Sequence, residues 1–279
     1  MRDHGPAPGL GPGAPGARAG PGLGSLPHLA GVEVNPGGPT LREDADLVTA
    51  GEAYAQRFAG PVGRHFLAVQ TAAVLGLLAP WPGASVLDVG GGHAQTALPL
   101  AAAGYKITVA GSSPECGQRL ARLLEPGSYD FQAVDLMNLP FPARAFDVVL
   151  SLRMLTHVAD LPGYLAQLCR AADKAVVVDY PAKRGFNLAA GALFRAKESL
   201  DDNPHTRPFR SFWDQEVLEL FRAQGFGRPR LRRQHFLPMA LHRGLGWGGF
   251  TRASEGLCRA LGLTVLLGSP VVLRVERLA

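Results

Sequence analysis

The chain has 279 residues, 47% of them hydrophobic, and carries 28 Lys and Arg against 23 Asp and Glu for a net charge of +5. That length suits one large domain or a domain with a cap, and the apolar content suffices for a sizeable core. Three cysteines, Cys116, Cys169 and Cys258, are odd in number and lack metal-ligand spacing, which argues against a disulfide framework or a metal centre and fits a reducing, cytoplasmic setting.

Residues 1–40 contain 11 Gly and 8 Pro with almost no periodic apolar pattern. Such a segment cannot bury enough surface to offset its ordering entropy, so a disordered tail is expected, and its Gly and Pro interrupt any run that a secretory signal would need. Residues 41–80 read as helical. Leu47, Ala50, Tyr54 and Phe58, then Phe66, Val69, Ala73 and Leu77, fall near helical spacing, with Gly60-Pro61 as a break. The apolar run Ala72 to Pro80 is too short to span a bilayer, so no transmembrane segment is expected.

The core is read over residues 81–279. Ser85 to Val89 has strand length and composition, Gly90, Gly91 and Gly92 permit a tight turn, and Ala94 to Ala103 is rich in helix formers. Ligands of open α/β sheets bind outside the carboxyl ends of the strands, where Asp88 stands. A dinucleotide fingerprint needs glycines at its first, third and sixth positions, but counting from Gly90 the sixth is Gln95. This disfavours a nicotinamide dehydrogenase.

The pattern Asp88-x-Gly90-x-Gly92-x-Ala94 instead resembles motif I of the class I S-adenosylmethionine-dependent methyltransferases, and the resemblance continues in order. Tyr105 to Ala110 looks like the second strand, and Ser112-Ser113-Pro114-Glu115 like the opening of the next helix. Phe131 to Phe141 contains Asp135 in a family segment, Ala145 to Ser151 matches the phenylalanine-aspartate start of the fourth strand, and Lys174 to Tyr180 reads as the fifth. The fold implied is a doubly wound, Rossmann-like α/β architecture. It has a seven-stranded, mostly parallel sheet with an antiparallel last strand, the N-terminal helical lid, and C-terminal insertions near 183–212 and 241–266. The remaining elements expected are a helix from Trp213 to Gln224 and strands near 228–238 and 270–277.

The resemblance also implies a cofactor, S-adenosyl-L-methionine, and residues that hold it. Asp88 and Gly90, Gly91 and Gly92 take the amino-acid end; Asp135 accepts from the adenine amino group while Leu136 and Met137 pack its ring. Ser151 and Arg153, at and just past the fourth strand, are further cofactor-binding candidates, with Arg153 suited to the cofactor's carboxylate or to an acidic acceptor. Tyr54 is a candidate to approach the methionine end from the lid, or is an ordinary buried aromatic. One departure stands out. The family's second strand ends in an acid that binds the ribose hydroxyls, and here that place is Gly111. Two such charge-assisted bonds contribute about 1.5 to 3 kcal/mol each, so Ser112 is expected to substitute through its hydroxyl.

For catalysis His157 is the titratable candidate, its ordinary pKa near 6.5 suiting proton transfer, with a bracing role as the alternative. Asp179 and Tyr180 end the fifth strand and can face the acceptor; His205 and Arg207 fall in the first insertion as lid residues. Arg228, Arg230, Arg232 and Arg233 form a basic run on an expected strand, whose alternation places Arg228, Arg230 and Arg232 on one face. It reads as a charged sheet edge or as attraction to an anionic substrate or membrane surface, and the absence of interleaved aromatics argues against nucleic acid. The activity implied is methyl transfer to a small-molecule or lipid-like acceptor. The alternative, supported by Gly111, is a methyltransferase-like fold without catalysis that serves as a ligand-binding or scaffold protein.

Overall fold

The computed structural model describes residues 43–187 and 210–279. The expected tail, and His205 and Arg207, lie outside the described residues. Three helices open the described chain: α1 (Ala45–Ala50), α2 (Glu52–Gln56) and α3 (Gly60–Leu78). Gly51 is extended between the first two, and Pro61 stands in the first turn of the third, where its missing N–H costs no helical bond.

Strands and helices then alternate. They are β1 (Ser85–Val89), α4 (Ala97–Ala102), β2 (Lys106–Gly111), α5 (Gln118–Leu123), β3 (Tyr129–Ala133), β4 (Phe146–Ser151), α6 (Leu161–Ala171) and β5 (Ala172–Tyr180). After the undescribed stretch come α7 (Asp214–Ala223), β6 (Phe226–His235), the helices α8 (Met239–Leu245), α9 (Gly248–Ala260) and α10 (Leu263–Leu267), and β7 (Ser269–Arg277). The seven strands form one sheet in the order β3-β2-β1-β4-β5-β7-β6. β1 to β5 pair in parallel, and β7 runs antiparallel to both β5 and β6. The order reverses between β1 and β4, which opens a crevice at their carboxyl ends, the usual ligand site of such sheets.

Both faces of the sheet are covered at its centre, so β1, β4 and β5 carry near-continuous apolar runs rather than alternating ones, unlike the edge strands β3 and β6. On one face Val86, Val148, Leu150 and Val177 pack with Val74, Leu77 and Leu78 of α3, Leu100 of α4 and Leu120 of α5. On the other, Leu87, Val89, Val149, Val176 and Val178 pack with Tyr164, Leu165 and Leu168 of α6 and Val217 and Phe221 of α7. Each such side chain contributes about 1.5 to 3 kcal/mol on full burial. Among the described residues α3 alone has the length and apolar character to cross a membrane, with a mean hydropathy of 1.2. Here it lies on the sheet, and Arg274 of β7 donates to its Leu77 carbonyl at 2.7 Å.

Two boundaries differ from the sequence reading. Ala94 is left-handed at φ 59°, following a single 3-10 turn at Gly91–His93, so α4 begins at Ala97. In β6 the register slips between Gly227 and Arg230, a bulge with Arg228 at φ 48°. The bulge takes Arg228 out of alternation with Arg230 and Arg232, which are exposed on the outermost strand.

Candidate active site

β1 delivers Asp88 and the glycine turn to the crevice. Gly90 is left-handed at φ 78°, and a Cβ there would lie 2.7 Å from the Met154 sulfur. A Cβ on Gly91 would fall 2.3 Å from the Asp88 carboxyl carbon, and one on Gly92 2.6 Å from the Cys116 carbonyl oxygen. The turn is thus a cradle closed to side chains. Asp88 is fully buried, and burial pushes its pKa up to about 7, opposed by the Thr96 hydroxyl and the Arg153 guanidinium. The Thr96 contact aside, its carboxylate oxygens are without hydrogen bonds. A buried carboxylate so poorly partnered, beside a backbone-only cradle, fits the cationic amino group of a bound amino-acid moiety.

Around the end of β2, Ser112 is buried and its backbone N–H donates to the Asp46 carboxylate of α1 at 2.7 Å. Asp135 is exposed and accepts the Met137 N–H at 2.9 Å, a local Asx turn that shapes the loop after β3. Leu136 is fully buried among Ala45, Val89 and Ala110, while Met137 packs on the edge of the same cluster. Ser151, also fully buried, shares a hydrogen bond with the Tyr164 hydroxyl at 2.7 Å, so its side chain braces β4 against α6.

The candidates from the loops after β4 and β5 come together in a cavity of about 460 Å³, with Tyr54, Arg153, His157, Asp179 and Tyr180 in its lining. Arg153 organises one wall. It is left-handed at φ 65°, its backbone N–H donates to Asp179 at 2.5 Å, and its guanidinium donates to Gln70 of α3 at 2.5 Å. The same guanidinium stacks 4.8 Å above the Phe58 ring and 5.8 Å from that of Tyr54. Gln70 also donates to Asp179 at 3.1 Å, closing a ring of three polar groups. Burial raises the pKa of Asp179, and the Arg153 N–H and guanidinium oppose it. Burial raises the Tyr54 phenol too, again against Arg153.

Several lining residues had no local sequence signal. Phe66 and His235 meet edge to face at 4.6 Å, and burial with neighbouring His65 and His242 pushes the His235 imidazole down to about 3, so it is neutral near pH 7. Glu255 of α9 accepts the N–H groups of Phe236 and Leu237, each at 2.9 Å, and lies 3.0 Å from His242 Nε2. A helix of the second insertion thereby pins the segment that closes the cavity. Arg57 over Tyr54 at 5.2 Å and Arg243 over Phe58 at 5.7 Å add cationic character to its rim. The three thiols are buried, and among the described residues no His, Cys, Asp and Glu cluster is fit to hold a metal ion.

A seven-stranded sheet of this order, with a glycine cradle and a buried acid at the end of β1, defines a class I methyltransferase. Comparison with known proteins agrees. Residues 64–227 match the family model described as a methyltransferase domain, and the chain belongs to that family. It is 26% identical over 182 residues to a demethylmenaquinone methyltransferase of Tropheryma whipplei (strain Twist), covering 58% of this chain and 74% of the relative. It is 32% identical over 106 residues to an O-methyltransferase of Pyrenophora dematioidea, a match spanning 36% of this chain and only 39% of that protein. The magnesium protoporphyrin IX methyltransferase of Synechocystis PCC 6803, solved with bound S-adenosylhomocysteine, shares the fold. Its TM-score is 0.56 at 15% identity, covering 85% of this chain and all of that one.

Proposed function

We propose that the protein transfers the methyl group of S-adenosylmethionine to a small-molecule or lipid-like acceptor held in the cavity lined by Tyr54, Phe58, Phe66 and Arg153. The observation that carries this reading is the cavity itself: about 460 Å³, walled by aromatic rings, and joined to the glycine cradle through the consecutive residues Arg153 and Met154. That volume lies in the range of about 300 to 1,000 Å³ common for small-ligand sites. The similarity to a demethylmenaquinone methyltransferase supports an aromatic, lipid-like acceptor. Buried thiols throughout fit a reducing, cytoplasmic setting.

The cofactor supplies a methyl group on a sulfonium centre. Around it the chain's work is positioning and exclusion of water. Asp88 and the Gly90 to Gly92 backbone hold the amino-acid end, with Asp135, Leu136 and Met137 at the adenine side. Arg153, fixed by Asp179 and Gln70, sets the wall between cofactor and acceptor. His157 lines the cavity and is the candidate to take a proton from an acceptor hydroxyl, whereas neutral His235 serves as wall.

Incubating the purified protein with methyl-labelled S-adenosylmethionine and a lipid-plus-metabolite extract tests the reading. Label in an apolar small molecule is expected. Label only in protein or nucleic acid would overturn the acceptor class, and no transfer despite tight cofactor binding would favour a ligand-binding role.

A further inference from the structure

We propose that Asp46 is the carboxylate that holds the ribose of S-adenosylmethionine, delivered from helix α1 because the end of β2 has no room for an acid of its own. In nucleotide-binding α/β folds the ribose hydroxyls sit beside the end of the second strand and are held there by a carboxylate. Gly111 occupies that end. A Cβ on Gly111 would lie 2.7 Å from the Cys116 Cβ and 3.1 Å from the Phe131 ring, so any side chain requires both neighbours to move.

Asp46 supplies what the strand lacks. Its carboxylate accepts the backbone N–H of Ser112, the residue after Gly111, at 2.7 Å and the Cys116 thiol at 3.4 Å. These bonds fix it at the end of β2 although it is 66 residues away in the chain. Both fall on Oδ2. Oδ1 is buried without a hydrogen-bond partner, and the residue is fully sealed from solvent. A buried carboxylate oxygen left without a donor is costly, and a vicinal diol offers two. The same helix reaches the cradle: a Cβ on Gly92 would lie 3.1 Å from the Ala50 Cβ. Thus α1 bridges the two points at which a nucleoside with an amino-acid arm is gripped. The sequence expectation that Ser112 substitutes through its hydroxyl is replaced by a role for its backbone, which orients the acid.

In this arrangement the docked α1 presents its acid to the ribose. It is tested by calorimetry on the full chain with S-adenosylhomocysteine and with the analogue lacking both ribose hydroxyls. The wild type is expected to bind the dideoxy analogue at least tenfold more weakly. Asp46→Asn is expected to weaken S-adenosylhomocysteine at least tenfold while leaving the dideoxy analogue unchanged, and its unliganded Tm reports its fold. Equal binding of the two compounds by the wild type overturns the proposal without recourse to any variant. So does tighter binding by Asp46→Asn, which would make α1 a plug competing for the crevice, or an equal loss for both compounds. A wild type that binds neither compound would count against the cofactor assignment itself, a distinct outcome.

Discussion

The Asp179 carboxylate at the end of β5 accepts the backbone N–H of Arg153, 26 residues before it, and so holds that residue in the left-handed region at φ 65°. A non-glycine residue there costs about 1 to 2 kcal/mol, and the buried acid offsets that cost while also receiving Gln70. In Asp179→Ala the Arg153 N–H loses its acceptor, with an expected destabilisation of about 1 to 3 kcal/mol. Because Arg153 then leaves the cavity wall, methyl transfer is expected to fall at least tenfold. Urea unfolding and initial rates check the two parts; unchanged stability would show that the loop holds itself.

Gly90→Ala tests the cradle. The backbone there is left-handed at φ 78°, costing about 1 to 2 kcal/mol for alanine, and the new Cβ falls on the Met154 side chain at 2.7 Å. Since Met154 is fully buried, relief must come from the turn or from the loop after β4. Cofactor affinity is expected to drop at least tenfold, read by calorimetry with S-adenosylhomocysteine.

Asp88 predicts a particular pH dependence of the unliganded protein. Its folded pKa, raised to about 7 by burial, lies above the unfolded value of 3.8. The folded state therefore holds the extra proton between these values, and the associated stability is present below about pH 4 and lost as pH rises through 7. Asp88→Asn removes this dependence. Its Tm relative to wild type is expected to rise from pH 5 to about pH 7 and to level off above it, and a constant difference would contradict the buried, poorly partnered carboxylate.

Part of this architecture was legible in the chain through local signals. The strand ending in Asp88 and the glycine turn announce themselves by composition, while the phenylalanine-aspartate start of β4 and the seven-stranded sheet were implied by the resemblance those residues carry. Boundaries suffered where a single backbone state decided them, as at Ala94, whose left-handed conformation delays α4, and at Arg228, where a bulge breaks the alternation of the basic run. Partners far apart in sequence were invisible. Nothing near Asp46 or Gln70 announces that they meet Ser112 and Asp179, nor anything near Ser151 that its hydroxyl meets Tyr164.

The second insertion contributes through Glu255. Removing it in Glu255→Ala leaves the Phe236 and Leu237 N–H groups without their carboxylate acceptor. Both bonds are part-buried, so a total loss of about 1 to 3 kcal/mol is expected. The segment these groups fix lines the cavity, so acceptor KM is expected to rise more than cofactor Kd. Steady-state kinetics with the identified acceptor, beside calorimetry with S-adenosylhomocysteine, separates the two.

The central claim is that the glycine turn after β1 binds S-adenosylmethionine. It is tested most directly by titrating the full chain with S-adenosylhomocysteine and with NAD, for the wild type and for Gly91→Ala, whose Cβ would lie 2.3 Å from the Asp88 carboxyl carbon. Saturable binding of S-adenosylhomocysteine at one site per chain, lost in Gly91→Ala and absent for NAD, is the expected result. Binding undiminished by Gly91→Ala, or tight binding of NAD in its place, would contradict it.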